Sequence, residues 1–164
     1  YDNNPDNEWK IHKKVEDIVN TTMPNSIVKV PELKAVVILN NMERFIIMEF
    51  VNGKTLYQME LEEIFKRRNI PTGAFQSDME AEGMFSKMLN LDPMSPKDAE
   101  QIQKKYYQEM KWIKLFTPEQ GKKYKEELKK FLQEIHKEGV YHRDGSNPRN
   151  IMITPEGKIY VIDF

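Results

Sequence analysis

Residues 142–164, HRDGSNPRNIMITPEGKIYVIDF, carry the most information about the architecture of this chain. They begin with a polar loop, His142–Asn150, and continue as two apolar runs separated by the turn sequence Thr-Pro-Glu-Gly at 154–157. Apolar, β-branched runs on either side of such a turn predict a β-hairpin. Upstream, helical spacing of apolar residues predicts a helix from Pro118 to about Glu138, ended by Gly139. The apolar residues of that helix are Tyr124, Leu128, Phe131, Leu132 and Ile135.

The N-terminal third mixes one helix with a small sheet. Helical spacing of Ile11, Val15, Ile18 and Val19 predicts a helix over Glu8–Val19. Two runs rich in β-branched and aromatic residues predict strands at Lys34–Leu39 and Arg44–Val51, joined by a turn at 40–43 and ended by Asn52-Gly53. The sequence therefore predicts an α+β protein with a boundary near Asn52, dividing it into domains 1–51 and 52–164.

Several helix starts are predicted after Gly53, each from a Ser or Thr that can accept a hydrogen bond from a free amide group of the first turn. Three have Gln or Glu three residues later, and the fourth precedes a proline at the first helical position. They are Thr55 with Gln58, Ser77 with Glu80, Thr117 with Gln120, and Ser95 before Pro96. The middle of the chain is therefore expected to be helical.

Composition excludes several classes of protein. The chain has 164 residues with 39% hydrophobic content and a formal charge of -1, so no global charge favours nucleic acid or an anionic membrane as a partner. It has no cysteine, which excludes disulfides, thiolate zinc sites and cysteine nucleophiles and fits a cytoplasmic protein. No apolar stretch is long enough to span a membrane. Since residue 1 is Tyr and the sequence ends on an apolar run, we expect the natural chain to be longer.

Three polar residues in the last stretch suggest a chemistry. Asp163 lies at the end of an apolar run, where burying an unpaired carboxylate would be costly unless a cation were bound. An amide oxygen from Asn150 and a carboxylate from Asp163 are hard ligands suited to Mg²⁺, which completes its shell with water and substrate phosphates. Asp144 can accept or orient the proton of an attacking hydroxyl. These roles together describe phosphoryl transfer.

The same residues resemble a known family. His142-Arg143-Asp144 with Asn150 resembles the catalytic loop of protein kinases and their relatives, and Asp163-Phe164 resembles the start of their Asp-Phe-Gly metal motif. The resemblance implies a two-lobe, protein-kinase-like α+β fold, with a partial N-terminal lobe and a mainly helical C-terminal lobe. It also implies ATP and Mg²⁺ as cofactors, and a hydroxyl on a protein or small molecule as acceptor, with no nucleic acid or membrane partner.

Two further segments are similar to parts of that family. Ile47–Gly53 resembles the hinge between the lobes, which implies Met48 as gatekeeper and the backbones of Glu49 and Val51 as partners of adenine. Glu8, on the first predicted helix, is placed like the glutamate that pairs with the nucleotide-binding lysine, and Glu16 is its competitor for that role.

The chain departs from the family pattern in three ways. Such families keep four residues between the loop aspartate and the metal asparagine, whereas 145–149 makes five, and Gly145 is expected to supply the backbone angle that absorbs the extra residue. No glycine-rich phosphate loop or lysine strand precedes Glu8. The stretch from Glu49 to Asp144 is long, which is closer to aminoglycoside and choline phosphotransferases, although Arg143 is more typical of protein kinases.

These observations favour an atypical Ser/Thr protein kinase, with a small-molecule kinase of the aminoglycoside or choline type as the alternative and a pseudokinase scaffold as the rival from another class. Less specific features have ordinary interpretations. His142 is expected to hold backbone carbonyls rather than act in catalysis. The aromatic and basic run 104–112 predicts an amphipathic helix rather than a nucleic-acid surface, and Met79, Met84 and Met88 are expected to fill a core.

Overall fold

The computed structural model describes residues 5–40, 43–73 and 75–164. In these ranges the chain is an α+β fold with five α-helices and small sheets. The elements in chain order are α1 (Pro5–Thr22), β1 (Val28–Lys29), β2 (Leu33–Leu39), β3 (Glu43–Met48), β4 (Lys54–Thr55), α2 (Leu56–Arg67), α3 (Asp78–Leu89), α4 (Pro96–Met110), α5 (Pro118–Lys137), a short 3-10 helix (Pro148–Asn150), β5 (Ile151–Ile153) and β6 (Ile159–Val161). Within the described part of the chain, no helix is long and apolar enough to cross a membrane.

The chain divides into two compact units. The first contains the residues up to Gly53 together with Pro118–Phe164, and the second contains Lys54–Thr117. The first unit therefore holds α1, β1 to β3, α5 and the C-terminal hairpin, and all the site residues predicted from the sequence lie in it.

Helix α5 forms much of the core of the first unit. It covers Pro118–Lys137, as predicted, and Phe131 and Ile135 on its apolar face are fully buried. The helix ends where Gly139 takes a left-handed conformation with φ of 78°. The Gly139 N–H donates to the His136 carbonyl at 3.0 Å and the Val140 N–H to the Ile135 carbonyl at 3.0 Å, which satisfies two free carbonyls of the last turn.

Helix α1 packs against α5 and β2 through Val15 and Val19, which are buried. It is longer than the predicted Glu8–Val19 because it begins at Pro5, where the missing proline N–H costs no helical bond, and continues to Thr22. The predicted apolar stripe is nevertheless the one that packs into the core.

The C-terminal hairpin is antiparallel, with Ile151 opposite Val161 and Ile153 opposite Ile159. Strand β1 adds to β6 in parallel, so the strand order in this unit is β1-β6-β5. Val28, Ile159 and Val161 are buried, and β1 contacts α5. The predicted hairpin is therefore confirmed, although its strands are shorter than the apolar runs.

Strands β2 and β3 form a separate two-stranded antiparallel sheet. Val36 and Ile46 are partners on the face that is partly buried, whereas Val37 and Phe45 are partners on the opposite, exposed face. The second strand ends at Met48 and not at the predicted Val51. Beyond Met48, the Glu49 N–H donates to the Glu32 carbonyl at 2.8 Å and the Glu49 carboxylate accepts from the Glu32 N–H at 3.1 Å, so the two segments stay joined one residue past each strand.

The second unit is a cluster of three helices closed by caps. At Thr55 both bonds of the predicted capping box form, since the Thr55 side chain accepts from Gln58 N–H and the Gln58 side chain accepts from Thr55 N–H. The Ser77 side chain caps α3 by accepting from the Glu80 N–H. The second bond of a capping box does not form there, because the Glu80 carboxylate accepts from the Gln76 N–H and not from the Ser77 N–H. The buried core of this unit consists of Tyr57, Leu61, Ile64, Phe65, Phe75, Ala81, Phe85, Ile102 and Tyr106.

The structure of this unit tests two predictions made from its sequence, one for the run 104–112 and one for three methionines. The run 104–112 lies mostly in α4, whose Ile102 and Tyr106 are buried, as expected of an amphipathic helix. Met84 and Met88 pack against the core, but Met79 is 82% exposed, so its predicted core role is wrong. Met79 is the second residue of α3.

A buried carboxyl group in this unit has no counterpart in the sequence predictions. Glu60 on α2 is 9% exposed and accepts a hydrogen bond from the Tyr106 hydroxyl on α4. Burial raises the pKa of Glu60, and the Tyr106 hydrogen bond offsets part of this rise. The pKa of Tyr106 is also raised, first by burial and then by its bond to Glu60. Burial therefore disfavours the charged form of Glu60, whereas the Tyr106 hydrogen bond favours it.

Replacing Glu60 with Gln is expected to remove one pH-dependent contribution to stability. Because the folded pKa of Glu60 is raised above its usual value near 4.5, the stabilisation is fully present below that value and is lost as pH rises through the folded pKa. Glutamine keeps an acceptor for Tyr106 and carries no charge. The unfolding free energy of the wild type minus that of Glu60→Gln should fall by at most about 1.4 kcal/mol per pH unit over this range. Urea titrations at a series of pH values measure the difference, and parallel curves for the two proteins would contradict it.

Candidate functional site

The loop before the hairpin is held by hydrogen bonds between its own residues. The Asp144 carbonyl accepts from the Asn147 N–H at 2.9 Å and from Asn150 Nδ2 at 3.2 Å. Asn150 is buried, whereas the Asp144 side chain is exposed. Since the Asn150 amide nitrogen is bonded to the protein, its Oδ1 is the atom that can bind a cation. The Asp144 carboxylate is not used to build the loop and is presented to solvent.

The hairpin register brings Asp163 beside Asn150. Strand pairing continues past the Ile151 and Val161 partners, because the Ile162 N–H donates to the Asn150 carbonyl at 2.9 Å. Asp163 is therefore one residue beyond the partner of Asn150. The two residues predicted to hold a metal, Asn150 and Asp163, are 13 positions apart in the sequence and lie at the same end of the two strands.

Asp163 has a left-handed backbone conformation, with φ of 59°. In the described ranges the other non-glycine residues with positive φ are asparagines, namely Asn40, Asn69 and Asn90. A non-glycine residue in this region costs roughly 1–3 kcal/mol unless its surroundings fix it, and such residues cluster at functional sites. The conformation turns the chain away from the strand at the position where the carboxylate is needed.

The burial expected of the Asp163 carboxylate, from which a bound cation was predicted, is wrong. The sequence suggested a carboxylate buried at the end of a strand, but β6 ends at Val161 and the Asp163 side chain is exposed. No desolvation penalty therefore requires a bound ion. The geometry beside Asn150, and not burial, is what makes Asp163 a candidate ligand.

Phe164 lies in a cluster of aromatic rings that fixes the end of the chain. Its ring centroid is 4.7 Å from that of His142, 6.0 Å from His12 and 6.1 Å from Phe131, all edge-on. His142 Nε2 donates to the Ile162 carbonyl at 2.8 Å, so this histidine holds the backbone beside Asp163, as the sequence predicted. The cluster ties the segment that carries Asp163 to α1 and α5.

Helix α1 contributes a buried histidine to this cluster. His12 is 3% exposed, and its Nε2 donates to the Pro31 carbonyl at 2.6 Å. Glu8 lies one helical turn before His12, on the same face of α1, and it is exposed. Glu16 is buried and accepts from the Leu33 N–H at 3.0 Å, so its carboxylate is committed to the start of β2. Of the two glutamates, Glu8 is the one whose side chain is accessible to a ligand.

The segment after β3 lies against the hairpin in the same unit. The Tyr160 hydroxyl of β6 is hydrogen-bonded to Glu49, and the pKa of Tyr160 is raised by partial burial and by the Glu49 charge. The Glu49 N–H is bonded to Glu32, and the Val51 carbonyl accepts from the Gly53 N–H at 3.0 Å. Of the backbone groups predicted to face adenine, these bonds leave the Glu49 carbonyl and the Val51 N–H. The Met48 side chain is partly buried on the inner face of β3.

Gly53 allows the segment after β3 to approach strand β5 closely. A Cβ built at Gly53 would lie 2.6 Å from the Ile153 carbonyl oxygen and 3.0 Å from its carbon. Both atoms belong to the backbone, so the neighbour cannot move aside without distorting β5. The segment Glu49–Gly53 therefore lies so close to β5 that only glycine fits at position 53.

The residues present fit a Mg²⁺ ion only with help from a substrate. In the described ranges no group of three or more His, Cys, Asp or Glu side chains is arranged to hold a metal. Asn150 and Asp163 supply one amide oxygen and one carboxylate, which suits Mg²⁺ when waters and phosphate oxygens complete its octahedron. The pair is therefore suited to a metal that arrives with a nucleotide.

A pocket of about 420 Å³ is present in the second unit. It is lined by Lys54, Glu62, Glu63, Lys66, Ile70, Thr72 and Gly73. Lys54 and Glu62 already form an ion pair at 2.8 Å. The two lysines and two glutamates balance, so the lining does not favour an anion or a cation.

Comparison of the chain with protein-family models, with curated proteins and with solved structures finds no match.

Proposed function

We propose that this chain is the nucleotide-handling part of an ATP-dependent phosphotransferase with a protein-kinase-like fold, which moves the γ-phosphate of ATP to a hydroxyl. The single observation that supports it most is the hydrogen bond from Asn150 Nδ2 to the Asp144 carbonyl, in a loop whose following hairpin carries Asp163 next to Asn150. The hydrogen bond joins Asp144, the proposed base, to Asn150, one of the proposed metal ligands. The pairing of the two hairpin strands brings Asp163, the other proposed ligand, next to Asn150.

Each residue has a defined part in the proposed reaction. The exposed Asp144 carboxylate accepts or orients the proton of the acceptor hydroxyl. Asn150 and Asp163 hold Mg²⁺, which when bound neutralises charge on the phosphate oxygens. The Glu49 carbonyl and the Val51 N–H bond the adenine edge, with Met48 beside it, and Glu8 pairs with a nucleotide-binding lysine.

The two-lobe architecture is part of the same proposal. Residues 1–51 correspond to a partial N-terminal lobe and 52–164 to the C-terminal lobe. Support comes from α1, which meets Phe164 through His12, and from the fit of Gly53 against Ile153. Both contacts join the segment before Gly53 to the hairpin, whereas the compact units of the chain, 1–53 with 118–164 and 54–117, do not divide at the proposed lobe boundary.

The acceptor is proposed to be Ser or Thr of a protein, as in an atypical protein kinase. Arg143, next to Asp144, favours this reading. A specific observation favours the small-molecule alternative, namely that Lys54–Thr117 forms a compact helical unit of its own between the hinge segment and α5. A pseudokinase scaffold is the third possibility, and the retained set of Asp144, Asn150 and Asp163 argues against it.

The metal role is tested by Mg²⁺-dependent binding of a fluorescent ATP analogue. Asp163→Ala is expected to weaken binding on the order of tenfold or more, because it removes a charged contact. Glu156→Ala is the matched control, since Glu156 is an exposed carboxylate in the turn of the same hairpin. The proposal fails if the natural full-length protein binds no nucleotide with Mg²⁺, or if the two variants bind equally well.

Labelled ATP offered with a generic protein, amino alcohols and aminoglycosides separates the acceptor classes. Label on Ser or Thr supports a protein kinase, and label only on the small molecules supports the alternative. Nucleotide binding without transfer to any acceptor, together with no ATP hydrolysis, supports the scaffold.

A further inference from the structure

Asn147 lies between the proposed base and a proposed metal ligand and is bonded on both sides. Its N–H donates to the Asp144 carbonyl at 2.9 Å, and its carbonyl accepts from the Asn150 N–H at 2.9 Å. Its side-chain Oδ1 accepts from the Arg149 N–H at 3.0 Å. Asn147 is therefore the N-cap of the 3-10 helix Pro148–Asn150.

Gly145 does not have the unusual backbone angle that was expected to absorb the extra residue of this loop. Among the described residues the glycines with positive φ are Gly139 and Gly157, so the unusual angle expected of Gly145 is absent. A Cβ at Gly145 would meet His142 at 3.5 Å, which is an ordinary contact. Instead, Asn147 and Pro148 begin a new helical turn that ends at Asn150.

The pairing of Asn147 with Pro148 has a physical reason. Proline has no N–H, so it can begin a helical turn without leaving an unsatisfied donor. The next amide, that of Arg149, does need an acceptor, and a side-chain oxygen at the N-cap supplies one. The turn carrying Asn150 is thus closed without help from residues outside the loop.

We propose that Asn147 is a positioning residue for Asn150. By capping the 3-10 helix, it fixes the turn from which the buried Asn150 amide donates Nδ2 to the Asp144 carbonyl and directs Oδ1 towards Mg²⁺. This inference depends on the proposed function, because the ion is part of it. It adds a residue that neither binds substrate nor touches the metal.

The test compares Asn147→Ala, which removes the acceptor, with Asn147→Asp, which keeps a side-chain oxygen at the same position. The Mg²⁺ concentration that half-saturates binding of the ATP analogue should rise about tenfold in Asn147→Ala, as is typical when a group orienting a metal ligand is lost. Asn147→Asp should remain within about twofold of the wild type, because aspartate caps as well as asparagine. Hydrogen exchange of the Arg149 amide, measured without nucleotide, should be about fivefold faster in Asn147→Ala only.

Two results would overturn the inference. One is an Asn147→Ala protein with wild-type Mg²⁺ dependence and wild-type Arg149 exchange. The other is an Asn147→Asp protein as impaired as Asn147→Ala, which would mean that the side-chain oxygen is not what matters. If the wild type protects the Arg149 amide yet binds no Mg·ATP, the proposed function is what fails, and the exchange comparison still decides whether Asn147 holds the Asn150 turn.

Discussion

Replacement of Asp144 by Asn should lower the rate of phosphoryl transfer by about 10³-fold while leaving Mg·ATP affinity within about twofold. A positioned general base typically contributes 10²–10⁴-fold, and asparagine cannot accept the hydroxyl proton. The loop should survive the change because Asp144 builds it through its backbone carbonyl, which accepts from Asn147 and Asn150. The side chain itself is exposed.

Single-turnover transfer to the acceptor found in the labelling experiment measures this effect, and nucleotide titration measures binding in the same preparation. Glu156→Gln is the control, since it makes the same chemical change at an exposed position of the hairpin turn. Transfer by Asp144→Asn at the wild-type rate would refute the assignment of Asp144. An equal loss of binding and transfer would instead indicate that the loop had collapsed.

Features that depend on neighbours in sequence were predicted well. The capping box at Thr55 and Gln58 and the left-handed Gly139 after α5 both form, because each requires only residues within about five positions of one another. The C-terminal hairpin is correct for the same reason. Its turn residues and the flanking apolar runs are contiguous in the sequence.

The ends of strands were predicted less well, and this error led to a wrong expectation for the burial of Asp163. The apolar run Ile159–Ile162 suggested a strand reaching Asp163, yet the ladder closes with the Ile162–Asn150 bond and Asp163 turns into the left-handed region. A pattern of apolar residues shows which segment pairs but not where its last hydrogen bond falls. For that reason the burial expected of Asp163 was wrong, and its role as a metal ligand stays a proposal.

A signal for Asn147 was present in the sequence. Asn147-Pro148 has the same cap-then-proline pattern that predicted a helix start at Ser95-Pro96. The structure shows no side-chain cap bond at Ser95, whereas Asn147 forms one. Of these two residues, Asn147, which lies inside a loop, is therefore the one whose side chain caps a helix.

Contacts between distant segments had no sequence signal. Glu60 and Tyr106 are on different helices, and nothing in either helical pattern indicates that a carboxyl and a phenol should meet. Likewise, the approach of Gly53 to Ile153 depends on the path of the chain between them. Such pairs require the packed structure, because burial is a property of the whole unit and not of a local pattern.

Phe131→Ala should lower the free energy of unfolding by about 3–5 kcal/mol, the usual cost of removing a fully buried aromatic side chain. Phe131 is 0% exposed on α5, and its ring is 6.1 Å from that of Phe164. The substitution therefore creates a cavity in the core and removes support from the segment that carries Asp163. Because a domain of this size is typically stable by only 5–15 kcal/mol, the loss is a large fraction of the total.

Phe50→Ala is the matched control, because it makes the same substitution at a side chain that is 88% exposed and should cost within about 0.5 kcal/mol. Urea unfolding followed by circular dichroism gives the stability of both variants, and Mg·ATP titration well below the unfolding transition reports on Asp163. We expect Phe131→Ala to weaken nucleotide binding even where the protein is fully folded, because Phe164 loses its ring contact with Phe131. Phe50→Ala is a control for stability alone, since Phe50 lies in the segment proposed to bind adenine. Equal stability of the two variants would contradict the packing described for α5. A destabilised Phe131→Ala protein with unchanged Mg·ATP affinity would instead show that His12 and His142 are sufficient to hold Phe164.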